Sequence, residues 1–582
     1  MAGLLGFLRG ALSSALGDSG TRRVQQLLVE GRAAAAWAEG QRLREASPGS
    51  LDAEALAALG VAAAAVGRHE AAAEDLQAAV RAAEAAGGEA VLEGLRGLSA
   101  RAESLLEQSR GKGELLSGPL WLAQPPPEPA VPAAWAPWCA AMPKVAEYVG
   151  PVEVRWATDP TTGEKCGRGL FATRNVPAGE ALLAGWPIAK AETSQGLIQA
   201  CREARRRSAR TRNSLACLAD GSQGQQLPGP AVANEVYGPS PDAVPEVVAD
   251  DVEPNLCGII GANCFTMQGW AGLYGLPSML NHSCDGQGAN ALKLVLVFLD
   301  GAIIFRAARD IAEGEELCHR YFDAEGPLRA RREQSALWGF ACGCRRCAFE
   351  DLRLPGTSAA LAAEAAMAAW KERLREQMQG LASVASAGAA AGTAVGKPVE
   401  RRAFLQELLR LAGALVEAAE AQEGWSGAEL AWCLALVQPL SNASLWCLLQ
   451  EQKAQDAARD AGEQEDEEDF DALGLRCQVL SRIVASWEHT ERYGFDHLRN
   501  LHMHWMALEE VKRRSAGVEG MKGGDVEVTL AVAADGPEWR AATEARQRCE
   551  KAFQTRFGIE PADLGLGTPQ SWALGLLGRL RG

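Results

Sequence analysis

The chain has 582 residues, 47% of them apolar, so it can bury several cores and is not disordered overall. Its formal net charge of −16 argues against nucleic-acid binding as the main activity, because that binding rests on neutralising phosphates. The 15 cysteines are odd in number and mostly scattered, which excludes a disulfide-stapled scaffold and points to a reducing compartment, cytoplasmic or nuclear.

An acidic surface suits a basic protein substrate, and ordinary solubility accounts for it equally simply. No apolar run reaches the roughly 18–20 residues of a transmembrane helix. The opening MAGLLGFLRGALSSALG has no acid before Asp18, as a targeting peptide would. Its apolar stretch is broken by Gly and Arg, which favours an N-terminal helix.

Residues 22–107 read as paired helices. In LAALGVAAAAVGRHEAAAEDLQAAV, Leu56, Leu59, Gly60, Ala63, Ala72, Leu76 and Ala79 stand where a tetratricopeptide repeat puts its packing residues. Gly60 and Ala72 are small enough for two helices to approach closely, Leu59 and Leu76 fill the seam, and Gly67 starts the turn. An Ala-rich hairpin produces the same pattern, so a true repeat array stays open. Residues 1–116 are thus expected to be helical. Residues 117–150, with QPPPEPAVPAAWAP, are expected to be an extended linker, because prolines fix φ and lack the backbone donor.

From Val152 the pattern shifts to short strands: 152–156, 169–172 and 181–185, with Pro177-Ala178-Gly179 as a turn. Residues 191–218 read as basic and helical, and 219–255 as a loop rich in Gly, Pro, Gln and Asp. Strands return at 292–299 and 302–307 across Asp300-Gly301, a hairpin signal. Beyond Glu350 the spacing is helical again, at 400–421 and 497–514, with the acidic run EQEDEEDFD at 463–471 as a solvated loop. The run CREARRRSARTR at 201–212 reads as a solvated helix face rather than an import signal or nucleic-acid patch. His497, His502 and His504 have poor ligand spacing and read as helix surface and core.

The chemistry is concentrated in NCFTMQGWAGLYGLPSMLNHSCD, RDIAEGEELCHRYFD and LWGFACGCRRC, between residues 263 and 347. Cys342, Cys344 and Cys347 form C-x-C-x2-C, three thiolates that leave a tetrahedral zinc one ligand short. With GRGLFATRNVPAGE at 167–180, these segments resemble the SET domain in their order along the chain. The likeness is greatest to the SET-and-MYND-domain methyltransferases.

The resemblance implies an α+β protein. A β-rich SET domain with its pseudoknot would span 151–324, interrupted by an insertion at about 190–257. A zinc-binding post-SET segment would follow at 325–350 and a helical domain at 351–582. It implies S-adenosylmethionine as cofactor and the ε-amine of a protein lysine as substrate. Asn281 and His282 would contact the cofactor. Asn263 and the turn at Arg168 and Gly169 are further contacts, and Ser278 is a minor one. Tyr321, one of five tyrosines, would point its hydroxyl at the transferring methyl and orient the sulfonium through weak hydrogen bonds. Trp338 and Phe340 would form aromatic walls beside the cofactor and the lysine channel. Cys284 would supply the fourth zinc ligand. The acidic helical C-terminal region would form one wall of the substrate groove, and helical regions are also surfaces for protein partners.

This chemistry suits the residues. Methyl transfer from a sulfonium to an amine is an in-line displacement that needs alignment more than acid–base strength. A desolvated channel lowers the lysine pKa so that it attacks as the free amine. Two departures stand out. The insertion holds Cys201, Cys217 and Cys257 but no His, too few ligands for a MYND finger, and Asp285-Gly286 replaces the usual proline after the NHSC motif. The competing function is an interaction scaffold on a SET fold that no longer catalyses; Asn281, His282 and Tyr321 argue against it.

Overall fold

The computed structural model describes residues 19–47, 51–112, 130–158, 165–207, 209–222, 225–238, 254–267, 269–296, 301–322, 324, 326–386, 407, 410–411, 413–436, 481, 504, 508 and 537–557. The expectations for the first 18 residues, for the proline run at 125–127 and for the acidic run 463–471 lie outside them. So does most of the helix expected at 497–514, of which His504 is described and buried.

The chain divides into two compact units. The first comprises Met1–Asn281 and Ala291–Leu317, the second His282–Asn290 and Cys318–Gly582.

The first unit opens with five helices: α1 over 19–29, α2 (Ala33–Ala46), α3 (Ala53–Ala65), α4 (His69–Ala85) and α5 (Glu89–Ser109). Asp52 caps α3 by accepting from the Ala55 N–H at 2.8 Å. The seam between α3 and α4 is as tight as small residues allow. A Cβ on Gly60 would come within 2.6 Å of Leu76 Cγ, and Leu59 and Leu76 are fully buried. Each leucine contributes about 1.5–3 kcal/mol of burial. The turn between the helices is made at Gly67, whose φ is 81°.

A short helix at Ala136–Cys139 follows, and Trp135 and Trp138 are buried in the helical core, which corrects the extended linker expected at 117–150 over its described part. Apart from the helices of the insertion, the rest of the first unit is antiparallel β-structure. Its strands are β1 (Tyr148–Val149), β2 (Val152–Thr158), β3 (Lys165–Ala172), β4 (Ala181–Gly185), β5 (Pro187–Ala191), β6 (Cys264–Met267) and β7 (Trp270–Tyr274). The two-residue β8 (Asn281–His282), β9 (Ala291–Leu296), β10 (Ala302–Ala307) and β11 (Glu316–His319) follow, with β8 and β11 each running on into the second unit. One sheet has the order β1-β4-β10-β9, another β5-β7-β6, and β3 lies between β2 and β11 in a third. One core gathers their inner faces, with Leu170, Leu182, Leu273, Tyr274, Ile303, Phe305 and Leu317 all buried. Every strand expected from the alternation is present. The strands β5, β6 and β7 were not anticipated, because their runs are short and interrupted by Gly and Trp.

The insertion supplies α6 (Ser194–Arg207), α7 (Ala209–Ala216), α8 (Pro230–Tyr237) and α9 (Leu256–Asn263). The expected loop at 219–255 is corrected by α8. Pro230 starts that helix at a position where a missing N–H costs nothing. Asn234 on α8 fastens it to β2, accepting from Val154 N–H at 2.7 Å and donating to Val154 C=O at 3.0 Å. Cys201 and Cys217 are fully buried core residues, and burial pushes both thiols up to about 11. Within the basic run, Arg210 pairs with Glu147 at 2.7 Å.

In the second unit, α10 (Leu328–Ala336), α11 (Arg345–Leu352), α12 (Ser358–Ser386), α13 (Gly427–Ala435) and α14 (Pro537–Phe557) are described. A core of Phe349, Leu354, Ala359, Ala363, Leu415 and Trp432 joins α11, α12 and α13. A capping box closes the start of α13: Ser426 and Glu429 bond to each other's backbone N–H. Helical flanks around a β-rich centre give the α+β organisation expected. Among the described residues, no helix is long and apolar enough to cross a membrane.

Candidate active site and cysteine centre

In the first unit the site is built on β3. Gly167 has a φ of 134°, a conformation that favours glycine, and lets the strand turn sharply before Arg168. Asn281 donates both protons of its Nδ2, one to Arg168 C=O at 3.1 Å and one to Glu316 Oε1 at 2.7 Å. The acceptor Oδ1 lies on the opposite side of the amide from these two partners. Gly169 makes this approach feasible. A Cβ there would stand 2.5 Å from Glu316 Oε1 and 2.9 Å from Asn281 Nδ2.

The Arg168 side chain has a different task. Its guanidinium donates to Cys217 C=O at 2.6 Å and Pro228 C=O at 2.7 Å, tying β3 to the insertion. The Arg168 charge is thus engaged within the fold rather than held out from the turn. The Nδ2 of Asn263 is likewise taken up locally, by Ala219 C=O at 2.6 Å and Ile259 C=O at 2.7 Å. Ser278 Oγ lies 3.1 Å from Asn263 C=O and 2.8 Å from Tyr274 C=O, so these two residues brace one another.

Glu316 is the residue that the sequence reading used only as a motif match. Burial raises its carboxyl pKa, and the Asn281 hydrogen bond offsets part of that rise. Its place beside the buried Leu317 gave no signal that it orients Asn281.

In the second unit, the His282 ring is held from both nitrogens. Nδ1 accepts from the Tyr321 backbone N–H at 3.1 Å, which puts the ring proton on Nε2, 3.1 Å from Cys284 Sγ. The ring stacks on Phe322 with centroids 4.4 Å apart. Trp338 stacks on the same Phe322 at 5.6 Å, and Phe340 meets Tyr321 edge-on at 5.9 Å. Tyr321, Phe322, Trp338, Phe340 and His282 thus form a continuous aromatic cluster. Phe322 was not singled out in the sequence, although it directly follows Tyr321.

The sulfurs of Cys284, Cys342, Cys344 and Cys347 lie within 4.8 Å of one another. Four thiols converging at this range are the donor set of a tetrahedral zinc, and the cluster can bind that ion. Asp285, buried, accepts from Arg345 at 2.8 and 3.1 Å and so anchors the segment after Cys284 to the start of α11. No proline is needed at that turn once the ion pair holds it.

The family model for the SET domain matches residues 167–322. The chain is 40% identical over 81 residues to histone-lysine N-methyltransferase SMYD3 of Homo sapiens, covering 14% of this chain and 18% of that protein. It is 38% identical over 78 residues to histone-lysine N-methyltransferase SET5 of Scheffersomyces stipitis, covering 13% and 16%. Against histone-lysine N-methyltransferase ATXR2 of Arabidopsis thaliana it is 34% identical over 107 residues, covering 18% and 22%. The matched stretches thus span less than a quarter of each relative, and the SET-and-MYND-like motifs agree with them. On this footing residues 167–322 form a SET domain.

Proposed function

We propose that the chain is an S-adenosylmethionine-dependent methyltransferase acting on the ε-amine of lysine in a protein, histone or otherwise. The observation that carries the reading is the tie between consecutive motif residues and the tyrosine: His282 Nδ1 receives the Tyr321 backbone N–H, while the neighbouring Asn281 keeps Oδ1 for a ligand. Bound S-adenosylmethionine supplies a methyl group activated by its sulfonium.

The chain's own residues then have separable tasks. Asn281 and His282 would contact the cofactor's amino-acid and adenine ends, and the turn at Arg168 and Gly169 would be a further contact. Asn263 and Ser278 support these contacts. Tyr321 orients the methyl through its hydroxyl, an interaction that favours the charge distribution of the displacement. Trp338 and Phe340 exclude water from the lysine channel, which lowers the lysine pKa and frees its lone pair. Cys284, Cys342, Cys344 and Cys347 hold zinc and fix the aromatic cluster. An acidic, helical C-terminal region attracts a basic substrate by screened Coulomb forces that weaken with salt. A cytoplasmic or nuclear protein would meet such substrates.

The test is to incubate the purified chain with radiolabelled S-adenosylmethionine and a cell extract, then identify the labelled proteins and residues. Label on lysine, lost in Tyr321→Phe, supports the reading. Cofactor binding with no transfer to any protein would favour an interaction scaffold instead.

A further inference from the structure

Behind the cysteine centre lies a group of charges that the proposed chemistry does not use. Arg331 on α10 and Arg346 on α11 are fully buried, 1% and 0% exposed. Both bond to the same oxygen of Glu350, also buried: Arg331 Nη2 at 2.9 Å and Arg346 Nε at 2.8 Å. Arg331 also donates to Gly326 C=O at 2.5 Å, and Arg346 to Ala324 C=O at 2.8 Å. Two guanidinium charges face one carboxylate, so one positive charge is left over in a dry interior. An uncompensated buried charge is costly, and proteins rarely keep one without a partner.

A partner is at hand in the cysteines. Arg331 Nη2 lies 3.7 Å from Cys347 Sγ, and Arg346 immediately precedes Cys347 in the chain. Four thiolates around a divalent ion carry a net charge of about −2. The leftover positive charge thus sits beside a centre of opposite sign, provided that the ion is bound to all four sulfurs.

We propose that Arg331, Arg346 and Glu350 form a cationic backing that offsets the negative charge of the tetrathiolate metal centre and so tightens its hold on the ion. They act as positioning and charge-balancing residues rather than ligands. This rests on the zinc reading of the four cysteines. The competing explanation is mechanical: the three side chains merely pin the 324–326 backbone between α10 and α11.

The two explanations differ in sign. Arg331→Met and Glu350→Gln break the same ion pair, but the first removes a positive charge and the second a negative one. The full-length chain and its variants are loaded with zinc and titrated with a chromophoric chelator to give relative affinities. Cobalt loading reports whether all four sulfurs still bind, through the sulfur-to-cobalt absorption. We expect Arg331→Met to lose about 10–100-fold in zinc affinity, the range of outer-shell changes at metal sites. Glu350→Gln should hold zinc as tightly as the unsubstituted chain or more so. Arg329→Met, on the exposed side of α10 and paired with Glu333 at 3.1 Å, should leave affinity unchanged.

Equal weakening in Arg331→Met and Glu350→Gln would overturn the proposal in favour of the mechanical role. Unchanged affinity in Arg331→Met would overturn it outright. If Arg331→Met does not fold, Arg331→Lys replaces it: it keeps the charge, so affinity within a few-fold of the unsubstituted chain is the supporting result, and Glu350→Gln decides independently. An unsubstituted chain that takes up neither zinc nor cobalt overturns the zinc reading itself, and is told apart because no variant is needed to see it.

Discussion

The backbone N–H of Tyr321 donates to Nδ1 of His282 at 3.1 Å, so the hydrogen bond that ties the two residues is made by the tyrosine's main chain. Replacing Tyr321 by Phe leaves that bond and the ring contacts to His282, Trp338 and Phe340 in place. Tyr321→Phe is therefore expected to lose methyl transfer on the order of 100-fold or more, as when one transition-state donor is removed. Cofactor affinity should stay within a few-fold, checked by calorimetric titration with S-adenosylmethionine beside the radiolabel assay. Full activity in a normally folded variant would contradict the role given to the hydroxyl.

Gly169→Ala places a methyl 2.5 Å from Glu316 Oε1 and 2.9 Å from Asn281 Nδ2. One of the two must move, and the overpacking costs about 1–3 kcal/mol. The expected result is weaker cofactor binding with a lowered melting temperature. Gly343→Ala, where a Cβ meets nothing within 4 Å, is the control and should bind normally.

Glu316 predicts a pH effect. Burial raises its carboxyl pKa above the ordinary value of 4.5, so the folded state holds the proton more tightly than the unfolded chain does. The stability this confers is complete below the unfolded value and is lost as pH rises through the folded one. Glu316→Gln stays neutral at every pH while keeping an oxygen for Asn281. Its melting temperature should exceed that of the unsubstituted chain at neutral pH, with the difference shrinking below pH 4.5. A difference independent of pH would show that the carboxylate charge is not the cause.

The cysteine centre predicts one zinc per chain, measured by elemental analysis of protein purified without added metal. Cys344→Ser should lose it, and chelation should lower the melting temperature, because the ion is part of the fold in such sites. Zinc retained in full by Cys344→Ser would show that the ion lies elsewhere.

Much of this was legible in the sequence because it rests on local patterns. The apolar run at 302–307 after Asp300-Gly301 marks β10, and the small residues at Gly60 and Ala72 foretell the close helix pair. The spacing of Cys342, Cys344 and Cys347 announces a metal-ligand set, whereas Cys284, 58 residues earlier, enters only through the family resemblance. What escaped depends on partners far apart in the chain. Arg168 looks like a ligand contact in a Gly-rich turn, but its guanidinium is taken by carbonyls at Cys217 and Pro228, about 50 and 60 residues on. Helix α8 hid within a Gly- and Pro-rich stretch because its anchor, Asn234, bonds to a strand 80 residues earlier. Nothing local in the sequence tells that Arg331 and Arg346 are both buried.

The division of the chain bears on its synthesis. Residues 282–290 belong to the second unit, although the chain returns to the first for Ala291–Leu317. On the ribosome, Cys284 therefore emerges well before its partners, and the set is complete only when Cys347 has been made. At roughly 5–20 residues per second, that wait lasts about 3–13 s. During it Cys284 is a lone reduced thiol and the aromatic cluster around His282 lacks Tyr321, Trp338 and Phe340. A nascent chain stalled anywhere between 291 and 341 thus has neither its zinc set nor its tyrosine pocket complete, and metal supply during translation acts on the last step rather than the first.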